Sequence, residues 1–67
     1  MGNRLKEVRL AKEVNQTELA RRCDVTRQTI HAIEAEKYTP SVDLALRISR
    51  ELKTKLEKIF YLEDEHE

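Results

Sequence analysis

Three side chains that can form hydrogen bonds with bases stand close together near the middle of the sequence, at Arg27, Gln28 and His31. A helix that buries Ile30 and Ile33, at positions i and i+3, turns these three toward solvent on its other face. Arg can bond bidentately to guanine O6 and N7, and Gln can bond to adenine N6 and N7. No carboxylate accompanies them before Glu34, and a helix N-terminus favours approaching anions. The pattern therefore predicts a helix face that contacts bases and phosphates.

A pair of short helices positions this face. The first covers residues 16–23 and the second about 27–35, and Asn15 and Thr26 are their predicted N-caps. Only about three residues separate the two helices, and a turn this tight holds them at a steep angle. The spacing predicts a helix-turn-helix over about residues 16–35.

Three further helices complete the predicted fold, which is all-α with five helices in a single domain, residues 1–67. We expect them at about residues 3–13, 42–52 and 55–60. One proline and one glycine are too few turn formers for a strand-rich fold. The expected inward-facing residues are Leu5, Val8 and Leu10 in the first helix, Leu19, Ala20 and Cys23 in the second, and Leu44, Ala45, Ile48 and Leu52 in the fourth; Ser41 and Thr54 are the expected N-caps of the fourth and fifth helices.

The charge of the chain is balanced overall but unevenly distributed. Thirteen Lys and Arg residues match thirteen Asp and Glu residues. Residues 1–40 hold eight basic and six acidic residues, a balance of +2, and residues 41–67 hold five and seven, a balance of −2. The basic excess lies in the half that contains the helix-turn-helix, as nucleic-acid contacts require, whereas the zero sum argues against a nucleic-acid partner.

Several classes of protein are excluded by what the sequence lacks. No apolar run reaches the roughly 18 residues of a membrane span, so no membrane association is expected. The lone Cys23 cannot form an internal disulfide and fits a reducing compartment, which predicts a cytoplasmic protein. Cys23, His31 and His66 are too few and too scattered for a zinc site, and neither a glycine-rich phosphate loop nor a catalytic triad is present. We therefore expect no enzymatic activity, no metal and no cofactor.

Over about residues 4–62 the sequence resembles the Cro/C1-type, or Xre-type, helix-turn-helix regulators of phages, bacteria and archaea. Each matching piece is short, but their order and spacing make the resemblance specific. The matching segments are Gln16-Thr17-Glu18-Leu19-Ala20, Val25-Thr26-Arg27-Gln28-Thr29-Ile30, Ile33-Glu34, Lys37-Tyr38-Thr39-Pro40-Ser41, Leu44-Ala45 with Ile48, and Leu56-Glu57-Lys58-Ile59-Phe60.

This resemblance implies a function. It predicts a sequence-specific transcriptional regulator, expected to be a repressor, that binds a palindromic operator in double-stranded DNA as a homodimer. The matching segments resemble a compact subgroup of stand-alone regulators, so no small-molecule effector is expected. Two alternatives remain open, an antitoxin-like autoregulator that also binds a partner protein and a protein-interaction module that does not bind DNA. The zero net charge supports the last of these.

The resemblance also implies roles for individual residues. Arg27 and Gln28 match base-reading positions, and His31 is a further candidate beside them. Arg9 and Glu34 match a charged pair that ties the first helix to the end of the third. The candidate contacts with the DNA backbone are Asn15, Gln16, Thr26, Thr29 and Lys37.

Glu36 departs from the family pattern, because it stands where the family usually has glycine after the third helix. Glu36 must adopt whatever backbone conformation glycine would have there, at a cost near 1 kcal/mol if that conformation is left-handed. Its negative charge also stands beside Lys37 in a loop that should face phosphates. The resemblance is therefore weaker for the loop contact than for the fold.

The C-terminal segment combines an apolar part with an acidic one. Ile59, Phe60, Tyr61 and Leu62 either complete the core of the monomer or form the dimer interface. We favour the interface, because a core this small rarely needs four large apolar residues in its last turn and an exposed apolar patch usually marks a contact. The acidic residues 63–67 should then point away from DNA.

Overall fold

The computed structural model describes residues 1–63 and shows the expected five helices, with a small two-stranded ribbon in addition. The acidic residues 64–67 lie outside the described part. None of the described helices is long and apolar enough to cross a membrane. The elements are β1 (Gly2–Asn3), α1 (Leu5–Ala11), α2 (Gln16–Cys23), α3 (Arg27–Glu34), α4 (Val42–Leu52), α5 (Leu56–Ile59) and β2 (Phe60–Tyr61).

Side-chain caps explain where three of the helices begin. Asn15, Thr26 and Ser41 each accept a hydrogen bond from the backbone N–H three residues later, at 2.7, 3.2 and 3.1 Å. These are the caps that the sequence predicts for α2, α3 and α4. The predicted cap of α5 is wrong, because Thr54 instead donates its hydroxyl to the carbonyl of Leu52 at 2.9 Å.

The core lies between α2, α3 and α4 and is closed by Leu5 from α1. The expectation that Leu10 faces inward is wrong, since its exposed fraction is 56%. A helical period of 3.6 residues places Arg9, and not Leu10, beside Leu5 and Val8. Arg9 is accordingly the buried residue of that turn. Cys23 is fully buried in the core, and burial raises the pKa of its thiol, so it packs as a small neutral side chain.

Four helix ends carry a non-glycine residue in the left-handed region. The φ angles are 60° at Glu13, 61° at Asp24, 62° at Glu36 and 51° at Lys53. Glu36 therefore does adopt the left-handed conformation, and the conditional cost applies. Each of these residues costs about 1 kcal/mol relative to glycine, since a Cβ crowds the backbone there.

The antiparallel ribbon β1–β2 was not predicted from the sequence. It pairs Gly2 with Tyr61 and Asn3 with Phe60. A Cβ added at Gly2 would lie 2.5 Å from carbon atoms of the Tyr61 ring, so any larger residue would force that ring to move from its present position. The guanidinium carbon of Arg4 lies 4.5 Å from the centre of the same ring.

The ribbon also buries part of the C-terminal segment. Ile59 and Phe60 belong to the monomer core, Tyr61 is half-buried and Leu62 is exposed. The expected interface role is thereby corrected at Ile59 and Phe60, because side chains enclosed by their own chain have no apolar surface left for a second one. Phe60 pairs with Asn3 of the N-terminal strand, and the N–H of Arg4 donates to the carbonyl of Ile59 at 2.7 Å, so both residues are held against the N-terminal segment of their own chain.

Candidate nucleic-acid interface

The turn between α2 and α3 fixes the relative position of the two helices. Asp24 takes the left-handed conformation that ends α2, and the N–H of Val25 donates to the carbonyl of Ala20 at 3.0 Å. Ala20 is buried and small, which allows α2 and α3 to pack closely. Because Ile30 and Ile33 hold the inner face of α3 in the core, the opposite face of α3 is left to solvent.

That outer face carries the base-reading candidates. Arg27, Gln28 and His31 are all exposed, and the first turn of α3 contains no acidic residue. Thr26 caps the helix, and its hydroxyl lies 3.0 Å from that of Thr29. The face therefore offers hydrogen-bond donors and acceptors at a helix N-terminus, where the macrodipole favours anions.

Arg9 and Glu34 form a buried, bidentate ion pair. Nε and Nη2 of Arg9 lie 2.7 and 3.3 Å from the two carboxylate oxygens of Glu34. Both side chains are only 7% exposed. Nη1 of Arg9 also donates to the backbone carbonyl of Val14 at 3.0 Å. The pair thus joins α1, the loop before α2 and the C-terminal end of α3. These contacts hold the end of α3 in position against α1.

Gln16 connects this buried pair to the exposed face. Its amide nitrogen donates to Oε1 of Glu34 at 3.0 Å, and its amide oxygen accepts from Nη1 of Arg27 at 3.2 Å. A residue assigned from sequence to the DNA backbone is therefore held on both sides by protein groups. No sequence signal predicts this arrangement, because it depends on the side-chain conformations of residues on three helices.

A groove of about 250 Å³ opens between α1 and α3 on this side of the domain. It is lined by Lys6, Gln16, His31, Glu34 and Ala35. No sequence signal marks Lys6, since a lysine on a surface helix is ordinarily a solvated charge. Here it places a cation on the same groove as His31.

The remaining backbone candidates surround the helix-turn-helix. Asn15 lies at the start of α2, and its side-chain oxygen is used by the cap, so its amide N–H groups are the ones free to donate. Lys37 is exposed in the loop after α3, next to the exposed Glu36. Within the described residues, no cluster of potential metal ligands accompanies these groups.

The partly exposed carboxylate of Glu18, near the start of α2, is compensated by two arginines. Hydrogen bonds from Arg21 and Arg22 lower the pKa of Glu18 to about 2. Glu18 is therefore ionised throughout the physiological range, with two arginines against its single charge. The N-terminal part of α2 thus does not present a net negative charge to an approaching phosphate.

The short α2, the tight turn and the polar outer face of α3 define a helix-turn-helix domain of the DNA-binding class. Residues 5–59 match the helix-turn-helix family HTH_3, and the chain belongs to this family of Cro/C1-type DNA-binding transcriptional regulators. The match spans nearly the whole described part of the chain. This is a family of regulators and not of enzymes.

Similar proteins occur in archaea and bacteria. An HTH-type transcriptional regulator of Methanocaldococcus jannaschii is 45% identical over 65 residues, which are 97% of this chain and 98% of that protein. The HTH-type transcriptional regulator YgzD of Bacillus subtilis is 42% identical over 66 residues, covering 98% of this chain and 100% of YgzD.

A solved structure shares the architecture. The restriction-modification controller protein C.AhdI of Aeromonas hydrophila superimposes with a TM-score of 0.79 at 26% identity, over 85% of this chain and 86% of that one. The fold is therefore shared with a solved controller protein over 85% of the chain.

Proposed function

We propose that the protein is a sequence-specific repressor of transcription that binds a palindromic operator as a homodimer. The observation that carries this proposal is the outer face of α3, where Arg27, Gln28 and His31 are exposed at a capped helix N-terminus without an acidic neighbour in the first turn. In this proposal α3 enters the major groove, Arg27 and Gln28 read base edges, and His31 contacts a base beside them.

Polar groups around α3 hold it in the groove by contacting phosphates. Such contacts set the register of the protein on DNA and supply most of its affinity, without reading sequence. The groups proposed for this role are Asn15, Gln16, Thr26, Thr29 and Lys37, with Lys6 added from the groove beside α3.

A homodimer follows from the small number of base contacts in one copy. Two or three contacts, each worth about 1–3 kcal/mol, cannot select one site in a genome, whereas two copies on a palindrome double the discrimination. Exposed apolar surface for such an interface lies on α4, where Val42 and Leu46 are 75% and 52% exposed and stand one turn apart. We place the interface there and not at Ile59 and Phe60. Tyr61 and Leu62 remain the competing site at the ribbon.

The test of the function is selection of binding sites from a pool of random DNA duplexes. We expect enrichment of a two-fold symmetric motif whose half-sites lie about 10 base pairs apart, centre to centre. Arg27→Ala and Gln28→Ala should each weaken binding to the selected site by about 1–3 kcal/mol and weaken binding to random DNA much less. Lys58→Ala also removes one positive charge, but from the exposed surface of α5 and outside the interface proposed on α4, and it serves as the control.

Each failure of this experiment has a definite meaning. If no sequence is enriched and no binding occurs even at low salt, the chain is a protein-interaction module. If the Ala variants lose equal affinity for selected and random DNA, the two side chains contact the backbone and do not read bases.

Glu36 should weaken DNA binding by its charge and weaken the fold by its conformation, and two substitutions separate these effects. Glu36→Gln removes the charge but keeps a side chain at φ 62°, whereas Glu36→Gly removes both. We expect both variants to bind random duplex DNA more tightly, and only Glu36→Gly to raise the free energy of unfolding, by about 1 kcal/mol. Fluorescence anisotropy and urea unfolding measure the two quantities. Unchanged DNA affinity in both variants would place this loop, and Lys37 with it, away from the phosphates.

A further inference from the structure

We propose that the buried carboxylate of Glu34 is a positioning group for DNA recognition, because it orients Arg27 through the side-chain amide of Gln16 before DNA binds. The inference rests on the proposed base-reading role of Arg27. It assigns to Glu34 a part in specificity, beyond its part in the fold, and to Gln16 a part other than phosphate contact.

The carboxylate of Glu34 is held in one orientation by its neighbours. It receives two hydrogen bonds from Arg9, at 2.7 and 3.3 Å, and is 7% exposed. Arg9 is held in turn by the backbone carbonyl of Val14 at 3.0 Å. A carboxylate bonded in this way has little freedom to rotate, so its oxygen Oε1 is presented toward Gln16 at a defined place.

The fixed carboxylate selects one orientation of the Gln16 amide. An ionised carboxylate can only accept hydrogen bonds, so it takes the NH₂ end of the amide, at 3.0 Å. The amide oxygen then points the other way and accepts from Nη1 of Arg27 at 3.2 Å. The reversed amide would place oxygen against carboxylate and NH₂ against guanidinium. Both ends of Gln16 therefore enforce the same orientation.

The hydrogen bond to Gln16 restricts Arg27, which has the longest and most flexible side chain of the base-reading candidates. Arg27 is exposed, and a free arginine side chain must lose rotational freedom when it docks on a base. A bond to Gln16 orders it in advance. The guanidinium group has more N–H donors than this one bond uses, so a bidentate contact with guanine remains possible.

A double-mutant cycle on DNA preference tests the relay. Gln16→Met keeps the length of the side chain and removes both polar ends. The measured quantity is the ratio of affinities for the selected site and for random duplex DNA. We expect Gln16→Met to lower this ratio about threefold to tenfold in the wild-type background, the range for ordering one side chain, and to leave it unchanged in the Arg27→Ala background.

Two comparisons exclude simpler explanations. Gln28 is not bonded to Gln16, so Gln16→Met combined with Gln28→Ala should show independent effects. If Gln16 served only as a phosphate contact, Gln16→Met would weaken binding to selected and random DNA equally, and the ratio would not change. That result would overturn the proposal.

The part of Glu34 is tested on the free protein. In the wild type, the two side-chain amide protons of Gln16 should exchange with water at different rates, because only one is bonded to Glu34. In Glu34→Gln, the rates should become similar and the Nε–Hε group of Arg27 should become more mobile in NMR relaxation. Equal exchange of the two amide protons in the wild type would overturn the relay without any variant.

The failure of this inference differs from the failure of the proposed function. If Arg27→Ala leaves the affinity ratio unchanged, base reading by Arg27 is wrong and the relay fails with it. If Arg27→Ala lowers the ratio but Gln16→Met lowers it equally in both backgrounds, the function stands and the relay is wrong.

Discussion

Replacing Arg9 by alanine should lower the free energy of unfolding by about 3–5 kcal/mol, among the largest effects that one substitution can have in this chain. The reason is that the substitution leaves the buried carboxylate of Glu34 without its cationic partner. Glu34 is 7% exposed and takes two hydrogen bonds from Arg9. Without Arg9 its carboxylate is buried and loses its cationic partner, and the carbonyl of Val14 loses a donor as well. Urea unfolding followed by circular dichroism measures the loss.

A double-mutant cycle shows whether the loss belongs to the pair. Arg9→Met and Glu34→Met remove one partner each, and the double variant removes both charges. The double variant should be more stable than the sum of the single losses predicts, because no uncompensated charge remains. The exposed pair Asp43–Arg47, with atoms 3.2 Å apart, is the control, and its coupling energy should be under about 1 kcal/mol. If the coupling energy of Arg9 and Glu34 is also under about 1 kcal/mol, the two side chains are neighbours that do not stabilise each other, and the prediction is wrong.

The elements that hold α3 in place could be predicted from the sequence because their signals are local. A capping side chain bonds to an N–H three residues away, so Asn15, Thr26 and Ser41 could be recognised without knowing the fold. The predicted bounds of α2 and α4 agree with the structure for the same reason. The family resemblance, confirmed over residues 5–59, rests on the same ordered local segments.

The inner face of α1 was predicted incorrectly because hydrophobicity was given more weight than helical period. Leu5, Val8 and Arg9 share a face at i, i+3 and i+4, whereas Leu10 lies outside it. Ordinarily a charged residue on such a face argues against burial. It is buried here because Glu34, distant in sequence, supplies the compensating charge. The resemblance to a family implied this pair, but hydrophobic patterning did not.

The ribbon β1–β2 escaped prediction for a different reason. Two-residue strands carry no alternating pattern, so no periodicity marks them. Their pairing joins Gly2 to Tyr61 across almost the whole described chain. The one signal was the single glycine at position 2, whose meaning becomes clear only when the Tyr61 ring is seen against it. The pairing holds Phe60 against the N-terminal strand, and without this long-range contact the sequence alone could not decide between core and interface for the segment.

The second large effect concerns the proposed dimer, and it should come from Val42→Asp. Val42 is 75% exposed, so the fold does not depend on its apolar side chain. It is also the first residue of α4, where a carboxylate interacts favourably with the helix macrodipole. The variant should therefore remain folded. At a dimer interface, however, both copies of the new charge would be buried without partners, which costs several kcal/mol.

We expect Val42→Asp to be monomeric in sedimentation at micromolar concentration and to bind the palindromic site at least about 100-fold more weakly, since each copy then reads one half-site alone. Two matched controls make the same substitution elsewhere. Leu10→Asp changes an exposed residue of α1, and Leu62→Asp changes an exposed residue beyond the ribbon. If Leu62→Asp dissociates the dimer and Val42→Asp does not, the interface lies with Tyr61 and Leu62 at the ribbon. If the wild-type protein is monomeric with and without DNA, one copy must bind alone, and a palindromic operator loses its physical basis.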